Sequence, residues 1–370
     1  MSEKREEGDQ RDGLTRRTFI QGSAVAAAGL AAGFGNSAYG QEEIRKTRSF
    51  NPDMEYRPCG DTGMICSVVC LGGHWKRINK MVPGVFKGRG WLSADLKDDG
   101  FQKNRRKVVT RCIERGINYI DACTIQEVRA YSKALKGRRD KMFLGCSWYQ
   151  KEMRRKDRRS FERLQDTINW GLQDAELDHC DLWRITLHEQ SSKHSDAEMD
   201  ECVKALEWAK RTGRARFIGI SSHDRPHIKK LIERYPELDV IVTPYTAKTK
   251  VVTDKSGLWA ALKKNKVGWF GIKPFAGNSL FKGNSAPDNP HAEEDDRLAR
   301  LAIRYILCNP AITAPIPGLI NTHQVDNVAR AVKERVQLDM EEQAELEEAM
   351  ERAWANLPDH YQWLKDWEYV

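Results

Sequence analysis

Residues 116–137 read GINYIDACTIQEVRAYSKALKG, and this stretch carries the pattern from which the fold follows. Gly116 stops a helical pattern running over 101–115. A short apolar run, Ile117–Asp121, then reads as a strand, and a second helical pattern occupies 127–136. The same unit recurs outward in both directions. Strands are expected near Ser67–Leu71, Met142–Ser147, Cys180–Leu187, Ala215–Ser221, Val240–Thr243, Val267–Ile272 and Ile312–Pro315. Helices are expected near 159–175, 196–212, 225–234, 255–265, 293–308 and 322–334. Gly213 and the Asn309-Pro310 pair act as stops, and Asp224 followed by Pro226 reads as a start. Eight strand–helix alternations predict an α/β protein whose parallel sheet closes into a (β/α)8 barrel of the TIM type. A doubly wound open sheet is the alternative, but no G-x-G-x-x-G follows any strand.

The bulk composition suits that architecture. The 370 residues are 40% hydrophobic, enough for a sizeable core, and barrels of this length are commonly one domain. The net charge is +8 and stays +8 without residues 1–40. Its densest basic cluster, Arg154 to Arg159, reads as a solvated helix start; no stripe or reader motif accompanies it, so nucleic acid is not expected as a partner. The N-terminus carries more. Thr15-Arg16-Arg17-Thr18-Phe19-Ile20 resembles a twin-arginine export motif; an apolar, small-residue run spans Ala24 to Phe34, and Ala38-Tyr39-Gly40 offers a cleavage site. Residues 1–40 are therefore expected to be a signal read by the twin-arginine machinery, with a periplasmic mature chain and no stable membrane span, the run being too short for one. Nine cysteines show no disulfide framework and no C-x-x-C; most read as small core residues. After a polar linker over 41–53, the barrel is expected over 54–338, and an acidic helix and tail over 339–370. The long loop from Gly72 to Gln102, with His74, Trp75, Phe86 and Trp91, is expected either to cover a pocket or to be an aromatic-stapled surface loop.

Motifs along the mature chain then point to a family. Tyr56-Arg57-Pro58-Cys59-Gly60 with Thr62-Gly63 resembles a hairpin that plugs a barrel floor. Leu71-Gly72-Gly73, the 116–137 stretch, Leu177-Asp178 with Asp181-Leu182-Trp183, Gly213–Ser221, Lys273–Gly277 and Ile316-Pro317-Gly318 follow in order. Together they resemble the aldo/keto reductases. That resemblance implies hydride transfer between a nicotinamide and a carbonyl or sugar, with NADP, put ahead of NAD, lying across the strand C-termini. It also implies four catalytic positions. Asp121 matches the aspartate, while Gln126 stands in place of the tyrosine, Ser147 of the lysine and Thr186 of the histidine.

Side chains alternate along a strand, so Arg184, Thr186 and His188 share the face turned into the barrel. A buried guanidinium needs a carboxylate, so Arg184 is expected to pair with Asp121. His188, nearer the mouth, is either a carbonyl-polarising group or a hydrogen-bonded loop histidine. Lys273 is another cation for Asp121 or for a cofactor phosphate, or else a solvated loop lysine. The resemblance assigns cofactor contacts to Ser221, Ser222, Tyr245, Lys273, Pro274, Phe275, Ala276, Gly277, Gly318, Gln324 and Asn327. His223 and His227 lie four apart at a helix start and read as structural histidines, so no metal ligands are expected. Three readings stay open: an exported oxidoreductase with altered acid/base residues, an inactive cofactor- or ligand-binding barrel, and a non-redox sugar-modifying enzyme.

Overall fold

A computed structural model describes residues 40–249, 257–334 and 336–367. The expected export signal lies, Gly40 apart, outside the described residues. A hairpin comes first, β1 (Tyr56–Pro58) and β2 (Ile65–Ser67), paired antiparallel with Arg57 opposite Cys66. Eight parallel strands follow: β3 (Leu71–Gly72), β4 (Tyr119–Ala122), β5 (Phe143–Cys146), β6 (Cys180–Thr186), β7 (Ala215–Ser221), β8 (Val240–Pro244), β9 (Gly268–Ile272) and β10 (Ala314–Ile316). They pair in chain order from β3 to β10. The first and last strands also meet. Cys70 N–H donates to Pro315 O at 3.1 Å and Gly72 N–H to Pro317 O at 2.7 Å, which closes the barrel. A side chain at Gly72 would meet Pro317 O at 2.9 Å, so the seam needs glycine there.

The run expected as a single strand over Ser67–Leu71 divides. Ser67 ends the hairpin, and its hydroxyl donates to Val69 O at 2.7 Å, turning the chain before β3 begins at Leu71. An apolar run does not reveal where a chain leaves one sheet for another. The segment expected as a linker is also more than that. Residues Gln41–Arg45 form a short helix, and Thr47, Arg48, Ser49 and Asn51 then bond to the barrel floor.

Helices alternate with the strands and lay apolar stripes on them; Ala292–Leu307 buries Leu298, Leu301, Ala302 and Ile306 at helical spacing. Several of their starts are capped by side chains, the Asp224 start among them as the sequence suggests. The Asp224 side chain accepts from His227 N–H ahead of Pro226, and Ser195 with Glu198 forms a capping box. The barrel interior is layered. Cys59, Met64 and Cys66 from the hairpin fill the floor. Above them Tyr119 stacks on Phe270 with ring centroids 4.4 Å apart. The strand period then places Asp121 and Arg184 on top. Gly145, opposite Asp121 in the register, leaves room for Tyr119, whose hydroxyl a Cβ there would meet at 2.1 Å.

One carboxylate ties the floor together. Asp181, fully buried, accepts from Arg139 at 2.7 Å, Arg216 at 2.9 Å, Arg48 at 3.0 Å and Leu144 N–H at 2.9 Å. Burial works against its charge, but the arginines outweigh burial and hold the carboxyl below the usual range. A carboxyl depressed in the fold contributes stability above its unfolded pKa, near 4, and loses that contribution as pH falls through the folded value. Asp181→Asn is expected to cost about 3 kcal/mol in urea unfolding at pH 7. The same measurement below pH 4 is expected to show the gap between wild type and variant closing.

Candidate functional site

At the carboxyl ends of the strands lies a cavity of about 710 Å³. Asp121 and Arg184 form its floor. Arg184 Nε donates to Asp121 Oδ1 at 2.7 Å, and Nη2 contacts Oδ2, a two-pronged pairing between side chains about 5% exposed or less. Burial disfavours the guanidinium charge, yet Asp121 more than offsets this and holds Arg184 well above its ordinary pKa. Arg184 is therefore a permanent cation beneath the cavity, with a net local charge near zero.

The third prong of Arg184, Nη1, donates to Thr186 Oγ1 at 3.1 Å, which lies 2.8 Å from Ser147 Oγ. Behind them sits Glu152, fully buried. Its carboxylate accepts from Ser147 Oγ at 2.6 Å, Thr186 N–H at 2.8 Å, Trp148 N–H at 2.8 Å and Trp183 Nε1 at 3.1 Å. Burial pushes the Glu152 carboxyl up against the opposing pull of these donors. Two of the positions that the resemblance marks as catalytic, Ser147 and Thr186, are thus occupied by hydroxyls wired to a buried acid.

The walls come from loops. After β3, His74 and Trp91 line the cavity with rings 4.5 Å apart. His74 Nδ1 lies 2.8 Å from Glu127 Oε1, and Cys123 faces the same space. After β9 the backbone turns left-handed at Lys273 (φ 60°), Ala276 (φ 48°) and Asn278 (φ 79°), conformations that non-glycine residues adopt at a cost. Across the mouth lies the C-terminal tail. Trp363 stacks on His223, with centroids 3.9 Å apart and planes 7° from parallel, and Tyr361 packs over Gly277. Lys76 and Lys273 both lie over the Tyr361 ring, at 4.3 and 5.6 Å. Burial brings both lysines down to about 8, with Lys76 adding to the effect at Lys273. No carboxylate within ion-pair distance balances either one among the described residues.

Several expected site residues meet here. Asp121, Arg184, Thr186, Ser221 and Lys273 line the cavity, as do Pro274, Phe275 and Gly277. Gly318, Gln324 and Asn327 line it from the β10 side. The expected Arg184–Asp121 pair is present. Six residues take other places. Gln126 bonds through its amide oxygen to Gln150 Nε2 at 2.9 Å, and Ser147 lies beneath Thr186, away from the cavity. His188 is a loop histidine: its Nδ1 accepts from Gln190 N–H at 3.1 Å, since β6 ends at Thr186 and the alternation of faces ends with it. Ser222 spends its hydroxyl on the carbonyls of His188 and Glu189, and Ala276 is buried under the β9 loop. Tyr245, past the end of β8, turns outward against Trp269, with its hydroxyl accepting from Asn309 at 3.0 Å. It is fully buried and away from the cavity, so stacking on a cofactor ring is not available to it.

Four contributors escaped sequence reading: Glu152, Glu127, Cys123 and the tail aromatics in their contact with His223. The surplus loop and tail were visible as segments beyond barrel needs. The buried glutamates were not: Glu152 is flanked by Lys151, Arg154 and Arg155, and Glu127 lies on a mixed helix start, so neither context marks burial. If Glu152 is what holds Ser147 and Thr186, Glu152→Gln should cost about 2–4 kcal/mol in chemical unfolding, because an amide NH2 then faces donors. Thr186→Ser, which keeps the hydroxyl, should cost under about 1 kcal/mol in the same measurement.

Comparison with known proteins agrees with this architecture. The model of the aldo/keto reductase family matches residues 96–299. L-galactose dehydrogenase of Arabidopsis thaliana is 25% identical over 203 residues, which cover 50% of this chain and 62% of that protein, less than two thirds of its length. The uncharacterized oxidoreductase YrpG of Bacillus subtilis (strain 168) is 22% identical over 363 residues, 84% of this chain and 100% of that one. Among solved structures, the holo form of aldo-keto reductase AKR11C1 from Bacillus halodurans is similar with a TM-score of 0.58 and 19% identity, covering 84% of this chain and 99% of that one. With more than half of its length matched by the family model, the chain belongs to the aldo/keto reductase family.

Proposed function

We propose that the protein is an exported, NADP-linked oxidoreductase acting on a carbonyl or sugar, in which the usual acid/base groups are replaced. Residues 1–40 serve as its twin-arginine signal, and the barrel works in the periplasm. The family generally uses NAD(P)H. The observation that carries the reading is the pair of unbalanced cations at the cavity. Lys76 and Lys273 face a space at the strand C-termini with no carboxylate at ion-pair distance among the described residues, a setting that suits a phosphate-bearing ligand. Gly72 and Gly318 add backbone approach at the seam: a Cβ at Gly318 would meet His74 O at 2.6 Å. The residues present therefore fit a nicotinamide dinucleotide.

The bound cofactor would supply or accept the hydride. This chain's own residues supply the rest. Arg184, locked by Asp121, cannot release its proton; it acts as a fixed positive charge under an oxygen that becomes negative. The aromatic wall of Trp91, Tyr361 and Trp363 excludes water and offers flat faces to a sugar ring. Lys273, at about 8, is a cavity-facing group able to exchange a proton near neutral pH. A second reading, a barrel that binds the cofactor without turnover, draws on Gln126 and Ser147, both committed to internal hydrogen bonds.

Titrating the full chain with NADPH is expected to quench tryptophan fluorescence, since Trp91 and Trp363 line the cavity. Lys273→Gln should weaken binding roughly tenfold, the scale of one charge-assisted hydrogen bond. Wild-type affinity should hold below about pH 8 and fall above it, as the Lys273 ammonium loses its proton. Absence of binding would remove the proposal, and saturable binding with no turnover on aldehydes and keto-sugars would favour the second reading.

A further inference from the structure

At the cavity wall two lining side chains, His74 and Cys123, meet the buried carboxylate of Glu127. His74 Nδ1 lies 2.8 Å from Glu127 Oε1 and 3.9 Å from Cys123 Sγ. All three ligand atoms fall within 4.8 Å of one another. The three residues come from neighbouring segments: His74 from the loop after β3, Cys123 from the turn after β4, and Glu127 from the first turn of the helix Ile125–Ala134. We infer that His74, Cys123 and Glu127 form a binding site for a zinc-class divalent cation, with one coordination position open to the cavity.

The geometry is close to what such an ion requires. Metal–ligand lengths near 2.0–2.3 Å in a tetrahedron put nitrogen, oxygen and sulfur roughly 3.3–3.6 Å apart. His74 and Glu127 would separate by about half an ångström, and Cys123 would approach His74 by about a third of one. Rotation of exposed or loop side chains covers both shifts; the His74 side chain is 40% exposed. The donor set, one thiol, one imidazole and one carboxylate, is of the softness that zinc prefers over magnesium or calcium.

Glu127 is the second observation. Its side chain is fully buried; Oε2 accepts Cys123 N–H at 2.6 Å, while Oε1, 2.8 Å from His74 Nδ1, has no hydrogen-bond partner among the described residues. A buried carboxylate needs a positive partner. The chain makes room for it at a specific place: a Cβ at Gly73 would fall 2.2 Å from Glu127 Cδ. Trp91 packs against His74 with the ring planes 34° apart and supports the ring from outside, as neighbouring groups do around metal ligands. His74 and Cys123 both line the cavity, so the open position faces the space above Asp121 and Arg184. A cation there would polarise a carbonyl oxygen, the task for which the replaced acid/base groups leave a gap.

The site is read without cofactor or substrate, so it and the nicotinamide reading can fail separately. The test is a cobalt(II) titration of the full chain after chelator treatment, with zinc as competitor. One equivalent is expected to bind with a near-ultraviolet thiolate-to-cobalt charge-transfer band that zinc abolishes. Cys123→Ala should lose the band, and His74→Ala, at a half-exposed position that leaves the fold intact, should weaken binding by at least about tenfold. No saturable binding, binding without the thiolate band, or a band that survives Cys123→Ala would each overturn the inference and leave His74–Glu127 a close polar pair with no metal.

Discussion

The buried contact between Asp121 and Arg184 is the constraint around which this barrel mouth is arranged. A guanidinium under the cavity is tolerable only because a carboxylate on β4 meets it with both oxygens. That meeting depends on the floor below. Tyr119 and Phe270 stack to set the height of the layer, and Gly145 gives up its side chain so that Tyr119 fits beside Asp121. It also conditions what lies beside it. With two prongs on Asp121, Arg184 has its third for Thr186, and Thr186 and Ser147 hand the chain of hydrogen bonds on to Glu152.

The arrangement separates two electrostatic jobs within one cavity. Its floor is charge-balanced, whereas its rim is not. Lys76 and Lys273 face inward against aromatic faces and a tyrosine hydroxyl, with no carboxylate at ion-pair distance among the described residues. Burial makes their charge costly, and a phosphate-bearing ligand would relieve that cost. The tail completes the rim by stacking Trp363 on His223, so residues beyond the barrel proper shape the entrance.

The barrel was legible because periodicity is a local signal. β7 begins and ends where the alternation predicts, and the helix Arg225–Arg234 starts at its Asp224 cap and Pro226. The Arg184–Asp121 pair was legible for the same reason, combined with the cost of a lone buried charge. Tyr245 departs from the place the resemblance implies, and His188 takes the loop alternative rather than the barrel face, because each stands just past a strand end, where the period of two no longer governs direction. Ser67–Leu71 was read as one strand because an apolar run carries no mark of passage from hairpin to barrel. Glu152 and Glu127 show the remaining limit. A glutamate in a polar stretch reads as solvated, and its burial is decided by groups distant in sequence: the donors Trp183 and Thr186 for Glu152, and His74 beside Glu127.

Whether the mouth depends on the floor pair is open to a direct energetic measurement. A double-mutant cycle of Asp121→Asn and Arg184→Met, followed by urea unfolding at pH 7, isolates their coupling. Each single change should cost about 3–5 kcal/mol by stranding the other group, and the double variant should cost less than the sum by at least about 2 kcal/mol. Additive costs, agreeing within about 0.5 kcal/mol, would contradict the account and reduce the pair to two independent residues.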